Sequence, residues 1–274
     1  MIARAARAPL HLALAAIGLL WLVPTLGLLL TSLLPASETG GGWWKAFAAP
    51  SLVTLDNYRV LFDNADMMHA LLTTAQVAVA NTVILTVVSA LAAYAFAWLE
   101  FPGRDALFVG VIALLVVPVQ TVLIPVFSLY GATGLFDTAL GLVLFHVAFG
   151  TPFAVFLLRN FFAGIPRDIV ESARIDGASE LRIFVRLMLP LALPAIASLA
   201  IFQFLWTWND FIVALTFARE VQPITVAIFS QARQFGSNIE LIAPAAFISL
   251  AIPLCVFLAF QRYFVQGLLA GSVK

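Results

Sequence analysis

The densest chemistry in the sequence lies at residues 168–184, DIVESARIDGASELRIF, where four acids (Asp168, Glu171, Asp176, Glu180) and two arginines (Arg174, Arg182) sit close together, with Arg167 and Arg186 just outside. Local signals describe two short helices with a turn between them. Pro166 suits a first helical position, Asp168 the positive end of the first turn, and Gly177 the left-handed position that ends a helix. Ser179 then caps a second helix, which Pro190 terminates. Glu171 and Arg174 are spaced three apart to pair, while Ile169, Ala173 and Gly177 fall along one side and offer small groups to a partner. A helix this short buries too little to be stable alone. A solvated loop would explain the arginines but not the acids or the ordered caps, so the stretch reads as a docking element.

Residues for bond-breaking chemistry are missing. There is no G-x-x-x-x-G-K-[ST], and the only lysines, Lys45 and Lys274, lie outside any glycine-rich phosphate loop, so the chain cannot hold a nucleotide in that manner. No H-E-x-x-H, no G-x-S-x-G and no paired intramembrane aspartates occur, which argues against metal, serine and aspartyl hydrolysis. No catalytic residue and no metal site is expected. His146 alone sits deep in an apolar run, where a hydrogen bond to a neighbouring helix is the expected role. Cys255, the single cysteine, gives neither a disulfide framework nor a thiolate site. A net charge of zero and a pI near 6.8 give no nucleic-acid surface.

The elements that must carry the charged stretch are set by composition: 63% of the 274 residues are hydrophobic, 10% are charged, and the mean hydropathy is +1.05. That is a membrane protein. Uncharged runs cover 8–37, 70–99, 106–136, 138–158, 187–209 and 241–261, each long enough as helix to cross roughly 30 Å of hydrocarbon. Runs such as LLVVPVQTVLIPVF lack the alternation of a membrane β-barrel, so the expected fold is all-α with six spans. The run at 10–33 is about twice the length of a signal-peptide core and is read as a retained first helix.

Six spans put both termini on one side. Ten basic residues (Arg4, Arg7, Arg104, Arg159, Arg167, Arg174, Arg182, Arg186, Arg262, Lys274) share one face against four on the other, and the positive-inside rule assigns the ten, and both termini, to the cytoplasm. The charged stretch is then cytoplasmic. Residues 34–69 form the longest external segment, with glycines at 40–42 for a flexible start and LDNYRVLF as a short amphipathic helix; Trp43 and Trp44 suit an interfacial anchor.

Polar groups in lipid must face protein or a water-filled path, which singles out Asn81, Gln120, Gln203 and Asn209 as candidate path residues. Pro118 and Pro125 suit a broken or kinked helix beside such a path. No carboxylate, lysine or arginine lies inside a span. An ion-coupled carrier normally uses one, so energy is expected to arrive from elsewhere.

Against this setting, ESARIDGASELRIFVRLMLPLALP resembles the EAA signature of binding-protein-dependent ABC importer permeases, through Glu171, Ala173, Asp176, Gly177, Ala178, Phe184, Leu189 and Pro190, with Ser172 where alanine is usual. FLWTWNDF, LEFPGRD and QRYFVQGLLAGSVK resemble the shorter membrane subunit of maltose/α-glucoside-type transporters. The resemblance implies a type I ABC importer permease fold, MetI-like. Residues 1–69 would hold the first helix and the external segment; residues 70–274 would form the transmembrane domain, with a cytoplasmic coupling loop at 161–190. It implies a bacterial or archaeal inner-membrane location, a second, different permease subunit, a cytoplasmic ATPase dimer, an external solute-binding protein, and a sugar substrate of the di- or oligosaccharide class. A polyol or glycerol phosphate is the alternative. ATP and Mg would be used by the ATPase, with no cofactor on this chain. Glu171 would contact the ATPase, Asp176 would hold the turn and Gly177 would permit it. The outer loop 216–240 would reach the binding protein, and the tail ending at Lys274 the ATPase dimer.

Overall fold

The computed structural model describes residues 8–235 and 238–270. Arg4, Arg7 and Lys274, three of the ten basic residues counted for one face, lie outside the described residues. Among those described there is no strand, and the chain divides into two compact units: Met1–Leu71 with Val226–Ile252, and Leu72–Thr225 with Pro253–Lys274.

In the first unit, α1 (Ala8–Ser32) is apolar on every side and little of it is buried; Trp21 and Leu12 stand exposed, as lipid-facing side chains do. The chain that follows is built of turns. Asn57, on α2 (Asp56–Asp63), donates to the carbonyls of Ser32 (3.0 Å) and Leu34 (2.8 Å), satisfying groups left open where α1 ends. The glycines at 40–42 form a compact turn rather than a free lead-in: Gly42 adopts φ +92° and Lys45 pairs with Glu38 at 2.8 Å. Trp43 packs on Gly27 of α1, where a Cβ would come within 3.1 Å of the indole, so this tryptophan anchors against protein.

The second unit carries the functional elements. Helix α3 (Ala65–Trp98) begins with Asn64 Oδ1 accepting from the Met67 N–H at 2.9 Å. Helix α4 (Arg104–Ala113) runs into a tight turn at Leu114–Val116. The chain then bends by 100° into α5 (Val119–Thr133). The cause is local: Pro118 cannot donate and forces Val117 into an extended conformation (ψ 116°). Pro125, by contrast, sits inside α5. Helix α6 (Ala139–Ala163) follows, then α7 (Arg167–Ile175), α8 (Glu180–Ile183), a π turn at Phe184–Met188 and α9 (Leu189–Trp208). Helices α10 (Ile212–Phe217), α11 (Ile224–Phe235) and α12 (Ile239–Ala270) complete the chain.

Pro190 does not terminate the helix after Ser179. The π turn lets the Leu189 N–H reach Phe184 O, five residues back, and sets Pro190 in the first turn of α9, where a missing N–H costs little. The result is a 75° bend between Glu180–Leu191 and Leu193–Trp208. Among the described residues four helices are long and apolar enough to cross a membrane unbroken, and the count reaches the expected six when each bent pair is one span.

Two apolar clusters hold the second unit. One packs Leu85 and Tyr94 of α3, Leu158 and Phe162 of α6, Val170 of α7, and Met188 with Leu199 around α9. The other packs Val77, Tyr130, Phe145, Val213 and Phe217 from α3, α5, α6 and α10.

Candidate functional site

Helix α7 is the short amphipathic element expected from the charged stretch. Pro166 takes the position just before its first residue, and Asp168 lies in the first turn. The turn after it is closed by backbone: Ala178 N–H donates to Ala173 O (3.0 Å) and Gly177 N–H to Arg174 O (3.0 Å), with Gly177 at φ +79°. The Asp176 carboxyl makes no hydrogen bond to a described residue, and Ser179 stands at the start of α8 without a side-chain capping bond.

Arg174 does not pair with Glu171. Its Nε donates to Glu180 Oε1 at 2.8 Å and its Nη2 to Trp98 O at 3.1 Å, while the Tyr94 hydroxyl donates to Glu180 Oε2. Trp98 Nε1 in turn donates to Phe162 O at 3.2 Å. The reversal at Gly177 brings Glu180 back over the end of α7, where it outcompetes Glu171 by offering both carboxylate oxygens to a fixed fork. Val170 is wholly buried and Ala173 packs on the same cluster, so this side of α7 is used internally. The outward side carries Glu171, Ser172 and, one turn from Glu171, Ile175 at 85% exposure. Ile175 was not singled out by spacing; its exposure follows from which side Val170 occupies.

Of the four candidate path residues, Gln203 lines a well-formed cavity. This cavity of about 200 Å³ lies at the bend after α4, bounded by Leu114, His146, Phe153, Phe202, Gln203 and Trp206. Gln203 and His146 are 3% and 5% exposed. Asn81 is buried elsewhere and donates to Thr207 Oγ1 at 2.7 Å, clamping α3 to α9. Asn209 donates to Leu205 O at 2.8 Å at the end of α9, and Gln120 is exposed in the first turn of α5. The hydrogen bond expected from His146 to a neighbouring helix is not formed among the described residues; its Nε2 lies 3.6 Å from Oδ2 of Asp210, a carboxylate that accepts from the N–H groups of Val213 (3.3 Å) and Ala214 (2.9 Å) at the start of α10.

The expected outer loop 216–240 contains helix α11, and the segment leading into that helix is clasped by one carboxylate. Asp137 Oδ1 accepts from the N–H groups of Arg219 (2.7 Å), Glu220 (3.0 Å) and Val221 (3.2 Å), with Asp137 itself at φ +58°. Partial burial raises its proton affinity, but the three N–H donors and the Arg219 guanidinium together outweigh it and hold the carboxyl below its ordinary range. Gly236, Ser237 and the tail ending at Lys274 lie outside the described residues.

The architecture has close counterparts. A bacterial ABC transporter involved in the import of the acidic polysaccharide alginate contains a chain that superposes with a TM-score of 0.80 at 20% identity, over 95% of this chain and 97% of that one. In sequence, the osmoprotective compounds uptake permease protein GgtD of Synechocystis is 46% identical over 97% of this chain and 92% of its own. The alpha-glucoside transport system permease protein AglG of Rhizobium meliloti is 48% identical over 82% of this chain and 61% of its own. The trehalose transport system permease protein SugB of Mycobacterium tuberculosis is 38% identical over 92% of each. Residues 86–269, which include α7, the Gly177 turn and the cavity, match the model of one family, so the chain belongs to the binding-protein-dependent transport system inner membrane components.

Proposed function

We propose that this chain is one permease half of an importer that carries a di- or oligosaccharide, of the α-glucoside class, into the cell. It works with a second, different permease, a cytoplasmic ATPase dimer that uses ATP and Mg, and an external solute-binding protein. Both termini and α7 face the cytoplasm. The observation that carries the reading is the outward side of α7: Ile175, 85% exposed, beside Glu171 on a helix pinned from behind by Arg174 and Glu180. An isoleucine so placed, outside the apolar spans, is an unfilled contact, and Glu171 gives it a charged neighbour for a basic partner. Ala173, Asp176, Gly177 and Ala178 shape the turn that presents this side. The substrate class is supported by the relatives named for α-glucosides and trehalose. A second reading, a small osmolyte of the polyol class, is favoured by the relative named for osmoprotective compounds.

The test is uptake of labelled sugars and polyols by the assembled complex, together with recovery of the ATPase on the purified permease. Glu171→Lys and Ile175→Asp are expected to abolish uptake and reduce ATPase recovery, since reversing or burying an unpaired charge at a contact costs about 2–5 kcal/mol. Normal transport in both variants removes the coupling role. Uptake of polyol without sugar selects the second reading.

A further inference from the structure

We infer that the end of α6, where it packs beside α4, holds the phosphate of an anionic phospholipid headgroup, with the Arg159 guanidinium as its ligand. The inference needs only that the chain spans a membrane, and it stands whichever solute the chain carries.

The depth of Arg159 follows from helix length. Helix α6 has 25 residues, which makes it about 37 Å long against roughly 30 Å of hydrocarbon, and its uncharged run ends at residue 158. Arg159 is therefore the first charge at the end of a span, where lipid tails give way to headgroups. A long basic side chain at that level lays its methylenes on apolar surface and keeps its charge in the headgroup layer. The protein meets only part of what this side chain needs. Its Cζ lies 4.7 Å from the centroid of the Phe108 ring of α4. Phe108 is backed by Phe96 of α3 at 5.5 Å, and Phe96 by Phe101 at 6.0 Å, so the ring under the cation is held in place. A ring offsets part of the charge but accepts no strong hydrogen bond, and the guanidinium carries five N–H donors. Arg159 Nε is buried without a hydrogen-bond partner, and no hydrogen bond or ion pair joins Arg159 to any described residue. A buried charged donor left unpaired is costly. A phosphate supplies what is missing, because it brings a negative charge and oxygens spaced to accept two N–H bonds from the guanidinium fork.

Arg104 gives the contrast. It stands one turn before Phe108 on α4, yet its Nε donates to Asp105 Oδ1 at 3.1 Å and its Nη1 to Leu99 O at 3.2 Å, so its charge is answered within the protein. Glu100, the other acid between α3 and α4, is exposed and makes no ion pair with Arg159. Leu107 and Val109, on either side of Phe108 in the chain, are exposed apolar side chains that lipid tails would cover. Basic groups between membrane helices at the headgroup level are where anionic headgroups bind.

The experiment uses the assembled complex, purified in detergent with its partner subunits, and reads retained lipid by native mass spectrometry as phosphatidylglycerol is added. Phosphatidylcholine, which carries the same phosphate in a neutral headgroup, and inorganic phosphate are the comparison probes. The unmodified complex is expected to bind phosphatidylglycerol about fivefold more tightly than the Arg159→Gln complex, with a difference below about twofold for phosphatidylcholine. Arg159→Lys, which keeps the charge and loses the planar fork, is expected to fall between the two. Added phosphatidylglycerol is also expected to raise the melting temperature of the unmodified complex more than that of Arg159→Gln; a purely structural role would lower the melting temperature and leave the lipid-dependent rise unchanged. Equal phosphatidylglycerol affinity in the three complexes refutes the site. Displacement of the lipid by inorganic phosphate, with the same stabilisation, would overturn the headgroup as its source and leave a free-anion site. If Arg159→Gln fails to assemble while Arg159→Lys assembles and binds phosphatidylglycerol no more tightly than phosphatidylcholine, the cation meets an acid on a partner chain and the lipid site is wrong.

Discussion

Arg174 Nε lies 2.8 Å from Glu180 Oε1 across the Gly177 turn, and the Tyr94 hydroxyl of α3 reaches the other oxygen of the same carboxylate. The outward helix α7 is thereby tied through two side chains to the end of a long span. Arg174 also holds Trp98 O, whose indole holds Phe162 O of α6, so a push on α7 meets α3 and α6 together rather than a free loop. The two charged side chains are 38% and 43% exposed, and a pair so solvated contributes no more than about 1 kcal/mol to stability.

The first prediction separates that position from that stability. Glu180→Ala is expected to leave expression and melting temperature nearly unchanged but to reduce uptake several-fold, with ATP hydrolysis less dependent on the binding protein. Exchanging the charges, Arg174→Glu with Glu180→Arg, is expected to recover part of the uptake and not all, because Trp98 O loses its donor. Equal uptake in the single variant and the unmodified chain would show that the network transmits nothing.

Gly177 gives a prediction that isolates backbone from contact. Nothing lies within 4 Å of a Cβ built there, so any penalty comes from φ +79° alone. Gly177→Val is expected to cost about 1–3 kcal/mol locally and to abolish uptake, whereas Gly177→Asn, which tolerates the left-handed region, is expected to keep a substantial share. Uptake equally poor in both variants would mean that the side chain obstructs a partner.

Orientation is tested by labelling single cysteines in intact cells with an impermeant reagent, after Cys255→Ser. Cysteine at Leu55 or Ala232 is expected to react from outside, and at Gly103 or Ser179 only after the membrane is opened; all four positions are exposed on the protein. Reaction of Ser179→Cys from outside would reverse the topology and remove the ATPase contact with it.

How far these features were legible in the sequence follows from their range. The break at Val117–Pro118 and the left-handed Gly177 depend on a residue and its immediate neighbours, and both were readable from proline and glycine chemistry. The 75° bend of the fifth span was not, since Pro190 reads as a stop unless a π turn precedes it. Glu171 was the obvious partner for Arg174 by helical spacing. Only the chain reversal at Gly177 makes Glu180 a better one, and Tyr94, 86 residues away, completes the site. Polarity within a span identified Gln203 and Asn81 alike; packing alone separates the one that lines a cavity from the one that clamps two helices. Asp210 fell just beyond an apolar run and Asp137 between two, so neither partner set could be read locally.

Asp137 supplies the last prediction, because its environment makes a signed statement about pH. The carboxylate that clasps residues 219–221 is held below the ordinary carboxyl range, chiefly by N–H donors that it can satisfy only while acceptor-rich. A carboxyl whose folded value is depressed adds stability at any pH above its unfolded value, about 3.9, and that increment disappears as pH falls through the folded value. Asp137→Asn keeps one acceptor oxygen and the tolerance for φ +58° but loses the charge, so it is expected to melt below the unmodified protein at pH 7 by the equivalent of about 1 kcal/mol. As pH falls below the unfolded value and towards the depressed folded one that gap should narrow, since the unmodified side chain becomes neutral as well. Asp137→Ala removes the acceptor altogether and sets a Cβ in the left-handed region without a compensating hydrogen bond, so its gap should persist at low pH. The measurement is the difference in melting temperature between each variant and the unmodified protein in detergent, across pH 3–8. A difference for Asp137→Asn that stays constant over that range would mean that the charge of Asp137 contributes nothing and that hydrogen-bond geometry alone holds the base of α11.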